Sequence, residues 1–389
     1  AVRCRLRSAF PVGSLLSGGL DSSAVTCAAR WLLPRGQTPE LPTYSGVFDT
    51  ARECDERPYI EAVHAQGGYA PHSVVADAIG PLADLETVYR QHDEPVHAPN
   101  LSMHRALYGL AGQQGVRVIL DGLDGDSTVS HGFGHLTELA RAGRLPTLAA
   151  ESRALGKHFG VSPRALMWRH CAVPLASGLP FLPLVRNAWR LARRTKGGSG
   201  GGAPSQPLLR ADAEQRIAAA GGPALPERMT PRDYTESARH YRSLSSGWLP
   251  YFMEVATLTA AVAGMEARFP FCDPRLAEFC LGLPAEQKLS GGWSRMVMRR
   301  ALEGVLPEEI RWRPGKARLG GGFRHGLLFY DRSRVVDLME NDSSHAWRYV
   351  DRDALRASFR RYADGGEGEQ ALLVWRAVTL GLWLDQVKI

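Results

Sequence analysis

Short apolar runs alternate with amphipathic stretches along the first third of the chain. The pattern predicts buried strands over residues 11–16, 41–48, 72–75 and 116–120, and helices over residues 22–33, 56–66 and 103–114. Strands that alternate with helices in this way predict an α/β fold, a parallel sheet with helices on both faces. Ligands of such sheets bind beyond the carboxyl ends of the strands. We therefore expect the functional site where the first and fourth predicted strands end.

After residue 135 the pattern changes to helices and irregular connections. A strongly apolar helix is predicted over residues 251–265, and an amphipathic helical tail over residues 351–389. We predict a single domain over residues 1–389, with an α/β core in residues 1–135 and a largely helical part in residues 136–389. Residues 196–205 form a Gly-rich tract that is typical of a loop tip or linker.

Composition narrows the class of protein. No run of about eighteen uncharged apolar residues occurs, so we expect no membrane span. The six cysteines include no Cys-x-x-Cys pair, which favours reduced thiols in a cytoplasmic protein over a disulfide framework or a zinc site. The net charge of +7 and the basic residues between 186 and 196 fit a solvated arginine-rich surface, and we expect no nucleic-acid partner.

The loop after the first predicted strand carries the most informative pattern, Ser17-Gly18-Gly19-Leu20-Asp21-Ser22-Ser23. Its two glycines, Gly18 and Gly19, let the backbone turn tightly and approach a ligand. The serine hydroxyls and the first amides of the following helix form a predicted cradle for phosphate oxygens. Asp21 fits beside phosphates if it holds Mg²⁺ that bridges them. A Gly-Gly-Ser turn before a helix also serves as an ordinary helix cap, which is the structural alternative.

The fourth predicted strand ends in an acidic loop, Asp121-Gly122-Leu123-Asp124-Gly125-Asp126-Ser127. Aspartate and glycine are common turn formers, so one interpretation is a plain turn. The other follows from position, because the end of a parallel strand is where a second Mg²⁺ ligand is needed.

The first loop is not of the Walker type, because Gly-x-x-x-x-Gly-Lys-Ser/Thr does not occur near it. Its Ser-Gly-Gly-x-Asp-Ser pattern resembles the pyrophosphate loop of the N-type ATP pyrophosphatases. With further segments, the chain resembles the synthetase domain of the asparagine synthetase family over nearly its whole length. The segments that carry this resemblance are residues 12–23, 93–95, 122–126, 266–273 and 306–310. The resemblance implies an adenine nucleotide α-hydrolase-like fold, with ATP and Mg²⁺ as the bound species.

The resemblance also implies roles for single residues. It implies an adenine site lined by Leu16 and Val47, with Asp121 and Gly122 nearby. It implies Asp21 and Asp126 as Mg²⁺ ligands and Lys316 as the late catalytic lysine of the family. A cation at Lys316 would stabilise the charge that develops on departing pyrophosphate.

Two departures separate the chain from asparagine synthetases. Those enzymes usually carry Ser-Gly-Glu-Gly-Ala-Asp-Glu in the second loop, and here Leu123 and Ser127 stand in place of the two glutamates. We also expect the N-terminal glutaminase-like domain to be absent, because Cys4 lies in the lead-in to the first strand. Residues 92–100, 120–132 and 271–284 resemble lasso peptide cyclases more closely.

This resemblance implies an AMP-forming, ATP-dependent amide ligase. A peptide Asp or Glu side-chain carboxylate would be adenylated, and the peptide's own N-terminal amine would then attack it and close a macrolactam. The implied partners are the lasso precursor core peptide, a leader-binding protein and a leader peptidase. The alternatives are an asparagine synthetase, a β-lactam synthetase and a non-catalytic peptide-binding scaffold.

An amine nucleophile must be neutral, so a nearby base would assist. The candidates are His97, His104 and Glu266, and Glu266 joins Asp21, Asp126 and Lys316 in the predicted catalytic set. Each candidate has a structural alternative, since a lone histidine is often a core residue and Glu266 could pair with Arg268.

Overall fold

The computed structural model describes residues 1–34, 40–95, 98–176, 208–220, 231–317, 319–365 and 369–388. Five parallel strands form one sheet in the order β3-β2-β1-β4-β5. The strands are β1 (Val12–Leu15), β2 (Leu41–Val47), β3 (Tyr69–Val75), β4 (Val118–Leu120) and β5 (Glu266–Arg268). The four strands predicted from the apolar runs are all present, and the predicted α/β class is confirmed.

The fifth strand comes from the part of the chain that the sequence pattern assigned to helices. β5 pairs with β4 in parallel, with Val118 opposite Glu266 and Leu120 opposite Arg268. Its three residues include two charged ones, so no apolar run indicated a strand. Residues 1–135 therefore supply four of the five strands, and a later segment completes the sheet.

In the described part of the first 135 residues, six complete α-helices accompany the first four strands. They are α1 (Val2–Arg5), α2 (Leu20–Leu32), α3 (Arg57–His64), α4 (Leu85–His92), α5 (Leu101–Gln113) and α6 (Gly125–Val129). Leu15 and Leu16, at the end of the first strand, point to opposite faces of the sheet, because successive side chains of a strand alternate. Leu16 packs in one core cluster with residues of α2 and α3, and Leu15 packs in another with residues of α5. The sheet thus has helices on both faces.

The helical part follows, with a π-helical turn over Trp168–Ala172 and a short hairpin of β6 (Leu289–Ser290) and β7 (Trp293–Ser294). Its first helices are α7 (Gly134–Arg141), α8 (Leu145–Phe159), α9 (Pro163–Met167), α10 (Val173–Ala176), α11 (Ala211–Ala219), α12 (Glu236–Ser245) and α13 (Trp248–Val262). The later ones are α14 (Pro274–Gly282), α15 (Ala285–Lys288), α16 (Met296–Ala301), α17 (Glu308–Arg311), α18 (Gly320–Phe329), α19 (Arg332–Glu340), α20 (Arg352–Ala363) and α21 (Glu369–Val387).

The predicted apolar helix and the helical tail are both observed, and the tail divides into α20 and α21. These two helices pack with α19 around the fully buried Trp375. The basic residues 186–196 and the Gly-rich tract 196–205 lie outside the described residues. No helix in the described ranges combines the length and the apolar character that crossing a bilayer requires.

A buried histidine in the helical part makes stability depend on pH. Burial, with the charges of Arg239 and Arg169, lowers the pKa of His170 to about 4. The unfolded chain takes up this proton below about pH 6.5, whereas the folded chain does not until about pH 4. The contribution of neutral His170 to the free energy of unfolding is therefore fully present above pH 6.5, and it is lost as the pH drops toward 4.

We expect the free energy of unfolding to fall by about 2 kcal/mol between pH 7 and pH 5 because of this histidine. His170→Gln removes the titrating group, so its stability should decline less over that interval. Urea denaturation of both proteins at the two pH values measures the difference. Equal declines would show that His170 does not titrate as its burial requires.

Candidate active site

The first loop joins β1 to α2 and turns at Gly18. Gly18 has a φ of +71°, and a Cβ on it would lie 2.8 Å from the Tyr59 Cβ, so this position needs glycine. The Ser22 hydroxyl accepts a bond from the Ser17 amide at 3.1 Å and lies 2.9 Å from the Ser17 hydroxyl. Ser17 is exposed, so this hydroxyl pair faces solvent beside the first turn of α2. Hydroxyls and helix-opening amides in this arrangement suit phosphate oxygens.

The second loop packs directly against the first. A Cβ on Gly122 would lie 2.6 Å from the Ser22 amide nitrogen, and one on Gly125 would lie 2.6 Å from an Asp21 carboxylate oxygen. β1 and β4 are neighbours in the sheet, so their carboxyl ends place the two loops side by side. The structure therefore brings together the two loops that the sequence pattern placed at strand ends.

The Asp21 carboxylate is ion-paired with an arginine side chain that the sequence pattern did not indicate. Arg295 Nη1 donates to both Asp21 oxygens, at 2.6 and 2.7 Å. Arg295 follows the β6–β7 hairpin and lies far from Asp21 along the chain, so no local motif could reveal the pair.

The pKa values of two aspartates in the second loop are shifted in opposite directions. His131, together with the charges of Arg295 and Lys316, holds the pKa of Asp126 well below its usual range, so this carboxylate is ionised. Burial raises the pKa of Asp124 to about 6, and the neighbouring Asp126 and Asp21 charges add to this effect. Asp126 is also exposed, so a cation in solvent can reach its carboxylate.

A third segment, between α17 and α18, closes onto the first loop. Arg313 Nη1 donates to the Gly18 carbonyl at 2.9 Å, and the guanidinium lies 3.7 Å from the centre of the Tyr59 ring. Arg313 also forms an ion pair with Glu56, and both side chains are buried. The same Glu56 carboxylate accepts a bond from the Ala317 amide at 2.5 Å. Lys316 lies exposed between these two anchored positions, within electrostatic reach of Asp126.

We expect Glu56→Gln to lower the free energy of unfolding by about 2 kcal/mol. The buried Arg313 guanidinium would lose its carboxylate, although it would keep the Gly18 carbonyl and the Tyr59 ring. Chemical denaturation measures the change, with the exposed Glu309→Gln as the matched control. Equal unfolding midpoints for the two variants would contradict a bracing role for Glu56.

The residues implied for the adenine site divide into two groups. Leu16 and Val47 are buried members of one core cluster, which extends to the carboxyl ends of β1 and β2. Asp121 and Gly122 begin the second loop, and burial raises the pKa of Asp121. Ser23 is fully buried, so its hydroxyl is enclosed by protein and does not line the open face of the loop with Ser17.

The three base candidates have different surroundings. Glu266 is ion-paired with Arg268, at 2.8 and 2.9 Å, and this bond lowers the pKa of Glu266. It begins β5, roughly 7 Å along the strand before the end that faces the loops. His104 lies beside Asp121 and contacts the Asn100 carbonyl at 3.0 Å. His97 lies outside the described residues.

The loops fit magnesium by the chemistry of their donors. Mg²⁺ prefers oxygen ligands and is often held by one or two carboxylates together with phosphate oxygens. Asp21 and Asp126 supply such carboxylates on adjacent loops, and Gly125 leaves the room beside Asp21 that a side chain would fill. Arg295 donates to both oxygens of Asp21 here, so it would have to release at least one of them before Asp21 could bind the metal.

Comparison with known proteins adds independent information. The asparagine synthase family model matches residues 1–385. Glutamine-hydrolyzing asparagine synthetase 3 of Bacillus subtilis (strain 168) is 24% identical over 330 residues, which are 80% of this chain and 45% of that protein. Asparagine synthetase 1 of the same organism is 22% identical over 397 residues, covering 98% of this chain and 57% of that protein. The chain thus spans about half the length of these curated relatives.

A shorter and more similar match falls within an animal protein. The asparagine synthetase of Gallus gallus is 40% identical over 65 residues, which are 16% of this chain and 12% of that protein.

Proposed function

Because the chain belongs to the asparagine synthase family, we propose that it is an ATP-dependent carbon–nitrogen ligase that releases AMP and pyrophosphate. The observation that carries this proposal is the convergence of three distant segments on one strand end. Gly122 and Gly125 pack against Ser22 and Asp21, and Arg313 donates to the Gly18 carbonyl. Two carboxylates and a pair of hydroxyls thus lie on the adjacent loops that follow β1 and β4, and Lys316 is within electrostatic reach of one of these carboxylates.

In this proposal a substrate carboxylate attacks the α-phosphorus of ATP, and the bond to pyrophosphate breaks. Ser17 and Ser22 hold phosphate oxygens, and Lys316 stabilises the charge that the leaving pyrophosphate gains. Magnesium, when bound, would neutralise phosphate charge and orient the leaving group. An amine next attacks the acyl-adenylate carbonyl, forms the amide, expels AMP and loses a proton. Catalysis is then mostly positioning and electrostatics.

For the substrate, we propose a peptide whose Asp or Glu side chain is joined to its own N-terminal amine, which is lasso peptide macrolactam formation. Leu123 supports this over aspartate amidation, because it replaces a carboxylate that asparagine synthetases usually carry in the second loop. The proposed partners are the precursor core peptide, a leader-binding protein and a leader peptidase. The proposed compartment is the cytoplasm, where ATP is supplied.

One alternative has a specific observation in its favour. The relatives named above are asparagine synthetases, and the resemblance extends over 98% of this chain in one case. Formation of a small amide from free aspartate, with the ammonia supplied from outside, is therefore the second candidate.

The deciding experiment incubates the protein with ATP, Mg²⁺ and the leader-free core peptide encoded beside its gene. We expect the peptide to lose the mass of one water with ATP present, and an Asp21→Ala variant to show no loss. Release of AMP and pyrophosphate stimulated by aspartate, with no change in peptide mass, would assign the chain to small-amide synthesis. Binding of the peptide without ATP consumption would support a non-catalytic scaffold.

A further inference from the structure

The ion pair between Arg295 and Asp21 links the centre of the first loop to the start of α16. Both oxygens of Asp21 are within 2.7 Å of a single nitrogen, Arg295 Nη1. The two side chains are 14% and 23% exposed, so the pair is shielded but can be reached from solvent. A carboxylate held in this way is not free to bind a second cation unless the arginine moves.

The backbone of Arg295 is fixed by its surroundings. Its φ is +53°, a region that residues with a side chain seldom adopt, so the surrounding structure must maintain it. Arg299, one turn along α16, is buried and donates to the carbonyls of Ser294, Arg311 and Arg313. These bonds tie the Arg295 backbone to the segment that leads to Lys316. The side chain of Arg295 can therefore change partner while its backbone stays in place.

The Arg295 guanidinium also has an N–H group that is available for a further hydrogen bond. Arg295 Nε is buried and has no hydrogen-bond partner among the described residues. A guanidinium presents donors in a planar fork that matches two phosphate oxygens. If Asp21 turns toward a divalent cation, repulsion between like charges drives the guanidinium toward the nearest available anion. Asp126, the other carboxylate that the Arg295 charge reaches, is the second predicted ligand of the same divalent cation. The anion left for the guanidinium at this loop is the phosphate chain of the nucleotide.

We propose that Arg295 is a phosphate-binding residue that exchanges partners, holding Asp21 in the free protein and nucleotide phosphate in the complex. This inference rests on the proposed ATP-dependent function. It makes binding of metal and nucleotide mutually dependent, because Arg295 blocks Asp21 until phosphate draws it away. A salt bridge with a purely structural role would instead persist in both states.

Two titrations with opposite expected signs test the exchange. The first measures Mn²⁺ binding without nucleotide, from the paramagnetic resonance signal of the free ion. Arg295→Met should bind Mn²⁺ about tenfold more tightly than wild type, because the competing cation is gone. The second measures ATP·Mg²⁺ binding by calorimetry, and there the same variant should bind about tenfold more weakly. Arg295→Lys, which keeps the charge but not the fork, should lie between wild type and Arg295→Met in both titrations.

A second pair of variants keeps the test decisive if Arg295→Met folds poorly. Asp21→Asn releases Arg295, so it should bind metal-free pyrophosphate more tightly than wild type. Adding Arg295→Met to Asp21→Asn should abolish this gain. A gain that survives in the double variant would overturn the proposal, as would equal ATP·Mg²⁺ affinity in wild type and Arg295→Met. Failure of the wild-type protein to bind ATP·Mg²⁺ would reject the proposed function as well, which separates the two cases.

Discussion

Lys316→Met will lower the rate of ATP-dependent pyrophosphate release at saturating substrate by a factor of about 100 to 1,000, a size typical for the loss of one preorganised electrostatic group. Lys316 is exposed at the mouth of the loops, between two positions that Glu56 anchors. Its ammonium forms no hydrogen bond or ion pair with the described residues, so the fold should remain intact. The effect should appear in kcat, because the charge it stabilises develops only as pyrophosphate leaves.

The matched control is Lys157→Met, an exposed lysine on α8 that is replaced in the same way. We expect this variant to match wild type in turnover and in thermal stability. Pyrophosphate release is followed by a coupled colorimetric assay, in parallel with the unfolding temperature. Turnover of Lys316→Met within threefold of wild type would remove this lysine from the catalytic set.

Lys288→Met should be the most destabilising single change considered, at about 4 kcal/mol of unfolding free energy. Lys288 is fully buried and lies 3.8 Å from a Glu236 carboxylate oxygen, which is nearly as buried. Its ammonium also donates to His240 Nδ1 at 2.9 Å. His240 Nε2 lies 3.0 Å from the Thr128 carbonyl, which can only accept, so this histidine is neutral with its proton on Nε2. Burial lowers the pKa of His240, in agreement with that state.

The network matters to function because it holds the second loop. Thr128 lies in α6, and Glu236 accepts bonds from the Ser130 hydroxyl at 2.6 Å and the Gly134 amide at 2.9 Å. Loss of the Lys288 charge leaves the Glu236 carboxylate buried without its cation. The loop that carries Asp126 should loosen as a result.

A double variant separates the loss of a cation from the loss of packing. Lys288→Met with Glu236→Gln removes both charges, so it should recover part of the stability that Lys288→Met loses. Denaturation in urea measures both, and the exposed Lys157→Met again serves as control. Equal stability of the single and double variants would indicate that packing, not charge, sets the cost.

The sequence alone determined the local features of this protein. The apolar runs and amphipathic stretches located β1 to β4, α2, α3 and α5, because burial imposes a period on any strand or helix. The Ser-Gly-Gly-x-Asp-Ser pattern located the tight turn between β1 and α2 that we propose holds phosphate, because such a turn needs glycine where the backbone φ is positive. The family resemblance of the whole chain, which the match over residues 1–385 supports, came from the order and spacing of these segments.

Only the tertiary structure decided which distant side chains meet at the site. Arg295, Arg313 and Glu56 are ordinary charged residues in the sequence, and nothing local distinguishes them from a solvated surface. Glu266 shows the converse, since the structure engages this predicted base in an ion pair with Arg268. β5 was missed for the same reason, because a short charged strand gains its place from pairing with β4 and not from its own pattern. Local periodicity encodes what is buried, whereas charge pairing depends on distances that only the folded chain creates.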